Sequence, residues 1–416
     1  MILFQRNYLP YTLCGVVYLI FALINPDSGY DKYFDIWWTH EMILGGITSI
    51  YQVDSVNYPP LVLYIIGIFS KFFSHPDQVD LNTVNALKPI KMFFDLVILC
   101  SSIYLLQLFK KSSNRILFFL LNIAFWFGTL IWAQYDSMFI SFLLLAFILA
   151  YRKRWNWAIV LFMMALNTKH ISILALPILG LYYFHHQGFR LKPILQLLGY
   201  ATVVQLLIFT PFIVTGHFSE AISAIFARTV SHHSQVSCNA QNIWMLICDG
   251  DPFEIDDKAP FWGKNYLFYG LLFFLSFSAL ALIPIAYQNI VKKYRFSFSR
   301  LLLTMGIVGI AFYYLNTEMH ERYLHLPLIF VGLFTLLNLS ITRAIVFVGY
   351  SLFYAISLEK VIHFFSYLPH PYFTSKTYLN SLIFDSQLLS LIFLGVLIYY
   401  CLEFIIDLSK RGEVNA

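Results

Sequence analysis

The sequence predicts an all-α polytopic membrane protein, and three observations predict it. The 416 residues are 59% hydrophobic and only 12% charged, with a mean hydropathy of +0.70, far from the composition of a soluble domain. Apolar runs recur along the chain between short polar clusters, as expected of helices that cross a hydrocarbon core about 30 Å thick. Basic residues concentrate in alternate clusters, and nearly all Asp and Glu fall in the clusters between them. The net charge of +5 follows from that loop bias and does not suggest a nucleic-acid partner. The five Cys are scattered without metal-type spacing. Cys238 and Cys248 share one loop, where a disulfide and two free thiols are both open.

The elements follow in order. Arg6 precedes an apolar run over residues 8–24, read as a retained helix because Ala22-Leu23-Ile24-Asn25-Pro26 is a poor cleavage site. The positive-inside rule assigns Arg6, Lys110-Lys111 with Arg115, Arg152-Lys153-Arg154, Arg190 with Lys192, Lys292-Lys293 with Arg295 and Arg300, Arg343, and Lys410-Arg411 to the cytoplasm. The segments between them are then hairpins with tips at residues 132–136, 167–170, 216–264, 316–322 and 359–380. Parity makes residues 26–87 begin and end outside. The short apolar run after Tyr58-Pro59-Pro60 therefore lies along the membrane or dips into it. The expected total is about twelve spanning helices with both termini cytoplasmic, in one domain over residues 1–416. Its module covers about residues 8–340, with further helices over about 341–408. Helices beside the tips at 132–136 and 167–170 are expected to be only about fifteen residues long, which implies a sunken surface, a cavity, on that side.

The unusual polar residues share this far side. Its first loop holds Asp27, Asp31, Asp35, Glu41 and Asp54. Asp31 and Asp35 are four apart, on one helical face with Trp38, and such a carboxylate suits a general base or a helix cap. Gln134, Asp136 and Ser137 form the next tip, with Asp136 as a candidate N-cap. Lys169 and His170 follow, and a Lys at membrane depth needs an anion or a route to water. Asn239, Gln241, Asn242 and Trp244 combine amides with an aromatic anchor, suited to sugar hydroxyls or to loop packing. In "TEMHERYLHLP", His320, Glu321 and Arg322 close the set, Arg being a bidentate partner for phosphate. Together they describe a cavity for one anion and one hydrogen-bonding ligand.

Five ordered segments carry a resemblance: Asp31 through Trp38 to Gly45, Tyr58-Pro59-Pro60, Trp132-Ala133-Gln134-Tyr135-Asp136-Ser137 with Lys169-His170, Asn239-Ala240-Gln241-Asn242-Ile243-Trp244, and His320-Glu321-Arg322-Tyr323-Leu324. The chain resembles polyprenyl-phosphate-sugar-dependent glycosyltransferases of the GT-C superfamily. It is most similar to prokaryotic integral-membrane mannosyltransferase-like proteins, which are related to protein mannosyltransferases. The resemblance implies a GT-C fold with juxtamembrane helices in the first extracytoplasmic loop, transfer of a hexose such as mannose, and inversion. It implies Asp31 as base, with Asp35 as rival because no Asp-x-Asp is present. Lys169, His170, His320 and Arg322 would bind the donor phosphate. Tyr58, Gln134, Asp136, Asn239, Asn242, Trp244 and Glu321 would bind sugar or acceptor. Some relatives use a divalent metal and many do not; no metal ligands are assigned. The implied partners are a polyprenyl-phosphate sugar donor, a lipid, glycan or protein acceptor, and membrane lipids. Short loops favour a prokaryotic plasma membrane with an extracytoplasmic site, the endoplasmic reticulum being the alternative. A transporter or flippase of lipid-linked sugars is the competing class, and a non-catalytic scaffold the third. The sharpest expectation is that Asp31, Lys169 and Arg322 line one cavity.

Overall fold

A computed structural model describes residues 8–24, 31–228, 234–294, 296–364 and 382–409. Arg6, Asp27, Arg295, Lys410, Arg411 and most of the 359–380 tip lie outside the described residues. The chain divides into two compact units, Met1–Ile173 with Leu191–Val230, and Leu174–Arg190 with Ser231–Ala416.

The first unit opens with α1 (Leu9–Leu23) and α2 (Asp31–Gly45). Next, α3 (Pro60–Ser70) starts on a proline, whose missing N–H costs nothing in a first helical turn. Its 11 residues reach about 16 Å, too short to span, as parity requires. Trp38, Met42, Tyr51, Val62, Leu63 and Ile66 form a core under α2 and α3 that also takes in Phe209 and Phe212. Helix α4 (Lys88–Leu108) packs on α5 (Asp136–Tyr151), which folds back into α6 (Trp155–Leu166). The last two have 16 and 12 residues, about 24 and 18 Å long, so the helices beside these tips are short as expected.

Helices α4 and α5 stop in the same way. Lys110 and Lys153 adopt φ of 54° and 59°. Lys111 and Arg154 then donate back to Leu106 O at 2.7 Å and Leu149 O at 2.8 Å. This is a Schellman ending with lysine at the left-handed position usually held by glycine, a place where its cation suits the helix dipole.

The second unit contains α7 (Ala175–Gln187), and the first resumes with α8 (Leu191–Val214). The rest of the second unit is α9 (Tyr266–Ala286), α10 (Phe298–Leu315), α11 (His325–Leu337), α12 (Ile341–Ile362) and α13 (Ser386–Ser409). Helices α10 and α11 form its buried centre. Their close approach needs Gly306 and Gly309: a Cβ at 306 would collide with Val331, and one at 309 would lie 3.2 Å from Pro327. Arg300 to Asp407 at 2.5 Å and Arg343 to Glu403 at 2.7 Å fasten α13 to this centre.

Among the described residues, six helices are long and apolar enough to cross a membrane. There are seven if Ser113–Leu120 and Ile123–Ile131, bent by 70°, count as one span. This is fewer than the dozen expected from charge alternation, because several apolar helices, α1, α5 and α6 among them, fall below full spanning length. All five thiols are free, so Cys238 and Cys248 are not bridged.

Candidate functional site

Each unit gathers its own share of the expected residues. In the first, a distorted tip precedes α5. Residues Phe127–Ile131 form a π-turn. Trp132 N–H then donates to Phe127 O at 2.9 Å and Gln134 N–H to Gly128 O at 2.8 Å. Ala133 takes the left-handed conformation at φ 63°, strained for a residue with a Cβ. This turns the Gln134 side chain to donate to the Asp31 carboxylate. Asp31 sits half-buried in the first turn of α2, where the helix dipole favours a carboxylate.

Asp35, one turn on, is 1% exposed. Lys91 donates to its Oδ2 at 2.5 Å and Tyr135 OH to its Oδ1 at 3.0 Å. Burial pushes the Asp35 carboxyl up; Lys91 and Tyr135 pull it back part of the way. Lys91 also donates to Ala133 O at 2.5 Å, so one ammonium holds both Asp35 and the strained tip. The two aspartates that share a face in sequence thus have different environments. Tyr58 joins this group through its ring, 5.5 Å from Trp38.

Asp136 is the first residue of α5, not its N-cap, which is Tyr135. Its carboxylate pairs with Lys169, so the lysine expected at phosphate already holds a protein carboxylate. His170 lies against Phe226, ring centroids 5.8 Å apart. Burial holds its imidazole below the usual range, so at neutral pH it offers a neutral ring rather than a cation.

Sequence reasoning missed a buried ionic row on α4: Lys88, Lys91 and Asp95, each 3% exposed or less. Asp95 accepts from Thr129 and Ser137 hydroxyls. The Lys88 ammonium is buried without a hydrogen-bond partner among the described residues, and the charged group facing it is Lys32. The spacing i, i+3, i+7 on one helical face was the available signal.

In the second unit, Ser237–Cys238 pairs in parallel with Met319–His320. This brings Asn239 to His320, while Asn239 and Glu318 adopt φ of 70° and 58°. Asn242 and Trp244, expected at a sugar, are fully buried. Asn242 Nδ2 and Trp244 Nε1 both donate to Asn316 O, at 3.2 and 3.0 Å, and Trp244 N–H donates to Asn242 Oδ1 at 3.2 Å. Their polar atoms fasten the long loop to the end of α10 and do not face a ligand. Gln241 is held likewise: Ser357 donates to its side chain, and its N–H donates to Tyr313 OH at 2.9 Å. His320 and Arg322 stay half-buried while Glu321 is buried. The backbone of this turn is fixed by Tyr354 OH donating to Arg322 O at 3.1 Å and Tyr350 OH to Leu324 O at 2.9 Å.

Half-buried Glu318 and buried Asp257 form an acid pair. Thr317 Oγ1 donates to Asp257 Oδ2 at 3.1 Å. Burial and the adjacent carboxyl push Glu318 up to about 8, so the pair holds a shared proton near neutral pH.

Of the expected trio, Asp31 and Lys169 belong to the first unit and Arg322 to the second. No family model matches the chain, and no curated protein matches it significantly.

Proposed function

We propose that the chain is an integral-membrane glycosyltransferase of the GT-C type. It moves a hexose, mannose foremost, from a polyprenyl-phosphate donor to an acceptor hydroxyl, with inversion. The observation that carries this reading is the contrast between the two aspartates. Asp31 is half-buried at a helix start and oriented by Gln134, whereas Asp35 is sealed by Lys91 and Tyr135. A base must reach the proton it removes, and Asp31 is the carboxylate left with access.

In the proposed step the Asp31 carboxylate takes the acceptor hydroxyl proton as that oxygen bonds the anomeric carbon. The bond from that carbon to the phosphate oxygen breaks, and polyprenyl phosphate leaves with the electron pair. Cations stabilise the charge that gathers on the leaving oxygens. Lys169 remains a proposed cation of the first unit, exchanging Asp136 for phosphate, and the Lys88 ammonium, without a hydrogen-bond partner among the described residues, adds a second. Among the described residues no group of three or more His, Cys, Asp and Glu side chains is placed to hold a metal ion.

The proposed fold counts twelve crossings: the six long helices, the bent pair, and the shorter α1, α5, α6, α7 and α11. The proposed site lies on the extracytoplasmic side of a prokaryotic plasma membrane.

The test is transfer by the reconstituted protein. Asp31→Asn is expected to lower transfer by about 10²–10⁴-fold with an unchanged melting temperature. Normal activity in Asp31→Asn, with loss in a folded Asp35→Asn, moves the base to Asp35. Normal activity in both removes the glycosyltransferase reading.

A further inference from the structure

A pocket lies at the C-terminal ends of α4 and α5, about 24 Å along α5 from Asp136. Its volume is ≈ 680 Å³. Its lining is Leu145, Ile148 and Leu149 with Cys100 and Ser101, together with Tyr104, Arg152 and Arg154.

Among the described residues no carboxylate pairs with Arg152, Lys153 or Arg154. Arg152 donates from Nε at 2.9 Å and from Nη2 at 2.5 Å to a single phenol oxygen, that of Tyr104. The phenol fixes the guanidinium in direction and leaves its positive charge uncancelled, with Nη1 still to donate. Compensation of the helix ends accounts for other cations: Lys110 and Lys153 occupy the left-handed cap positions. Arg152, the C-cap residue of α5, and Arg154 place two further exposed cations at this end.

The surroundings select the kind of anion. Arg154 also borders a neighbouring cavity of ≈ 440 Å³ lined by Trp155, Trp157 and Tyr200, and Trp157 is 62% exposed. Aromatic side chains of this kind belong at headgroup level. An apolar wall beside two arginines, one of them oriented by Tyr104, fits a phosphate diester that brings its own hydrocarbon, better than a free ion.

We propose that this pocket is a headgroup site for an anionic glycerophospholipid. The phosphate lies against Arg152 and Arg154, and an acyl chain follows Leu145 and Leu149. The proposal is independent of the glycosyl-transfer reading and needs only that the chain reside in a membrane.

The test is native mass spectrometry of the detergent-solubilised full chain with added phosphatidylglycerol or phosphatidylcholine. Phosphatidylglycerol is expected to be retained about thirtyfold more than phosphatidylcholine, from two cations at a membrane surface. The double variant Arg152→Gln/Arg154→Gln is expected to erase that preference. Leu145→Trp, which fills the pocket and keeps both charges, is expected to erase it too. Melting temperatures of both variants are read alongside, to confirm the fold. Equal retention of the two lipids by the unaltered protein overturns the proposal. So does a preference that survives the double arginine change. A preference lost in that variant but kept in Leu145→Trp assigns the effect to diffuse surface charge and also overturns it.

Discussion

The α2–α5 tip of the first unit and the 239–244 loop of the second handle buried polarity in opposite ways. The first buries charges and sets opposite signs against each other, Asp35 with Lys91 and Asp136 with Lys169. The second, around the 239–244 loop, buries neutral amides and an indole that share carbonyl acceptors, and its acid pair holds together through a proton. Opposed charges are stable only as a pair, since removing one strands the other in low dielectric. A neutral network loses one hydrogen bond at a time. Ions that can change partners suit the handling of a charged ligand. A scaffold of amides suits holding a loop still.

Three substitutions can break or sharpen that contrast. The largest effect is expected from Lys91→Met, which leaves Asp35 buried without its cation. We expect a loss of about 3–5 kcal/mol, read as a fall in melting temperature in detergent. Adding Asp35→Asn should recover most of it. An unchanged melting temperature for Lys91→Met would erase the distinction between the two regions. Next is Asn242→Ala, which strips the Trp244 N–H of its acceptor and should cost about 1–3 kcal/mol, with no recovery from a partner change because no charge is stranded.

The smallest effect is expected from Glu318→Gln, and it is one of pH dependence. The Glu318 pKa is raised in the folded chain from 4.5 to about 8, so the folded state binds more protons than the unfolded one between those values. Stability of this loop is then greatest below about 4.5 and falls as pH rises toward 8. Glu318→Gln should flatten that slope. Hydrogen exchange of the 235–257 segment at pH 6 and pH 8 measures it, and an equal slope in both proteins would dismiss the shared proton.

Helical hairpins, the short helices beside the tips and the non-spanning Pro60–Ser70 were legible, because hydropathy and charge alternation act locally. The full-length spans fall short of the expected dozen because composition registers an apolar stretch without fixing where its helix ends. At the site, Asp31 and Asp35 looked equivalent: a four-residue spacing gives a shared face and says nothing about which carboxylate a distant lysine will cover. Lys91 reaches Asp35 across 56 positions. Asn242 and Trp244 pointed to sugar because amides beside an aromatic ring suit either a ligand or a loop. Only their contacts with Asn316, more than 70 positions away, separate the two uses. Lys88 and Asp95 were passed over because ionisable residues near a helix start read as edge charges until their burial is known.

The missing side chains at Gly306 and Gly309 have a mechanical consequence. With α10 and α11 in close contact at those glycines, and the turn between them tied by Tyr350 and Tyr354, the stretch bearing His320 and Arg322 is held by its backbone from both sides. Its backbone behaves as an anvil. On such a support, adjustment at Arg322 falls to side-chain rotation, which takes a fraction of the time of loop motion.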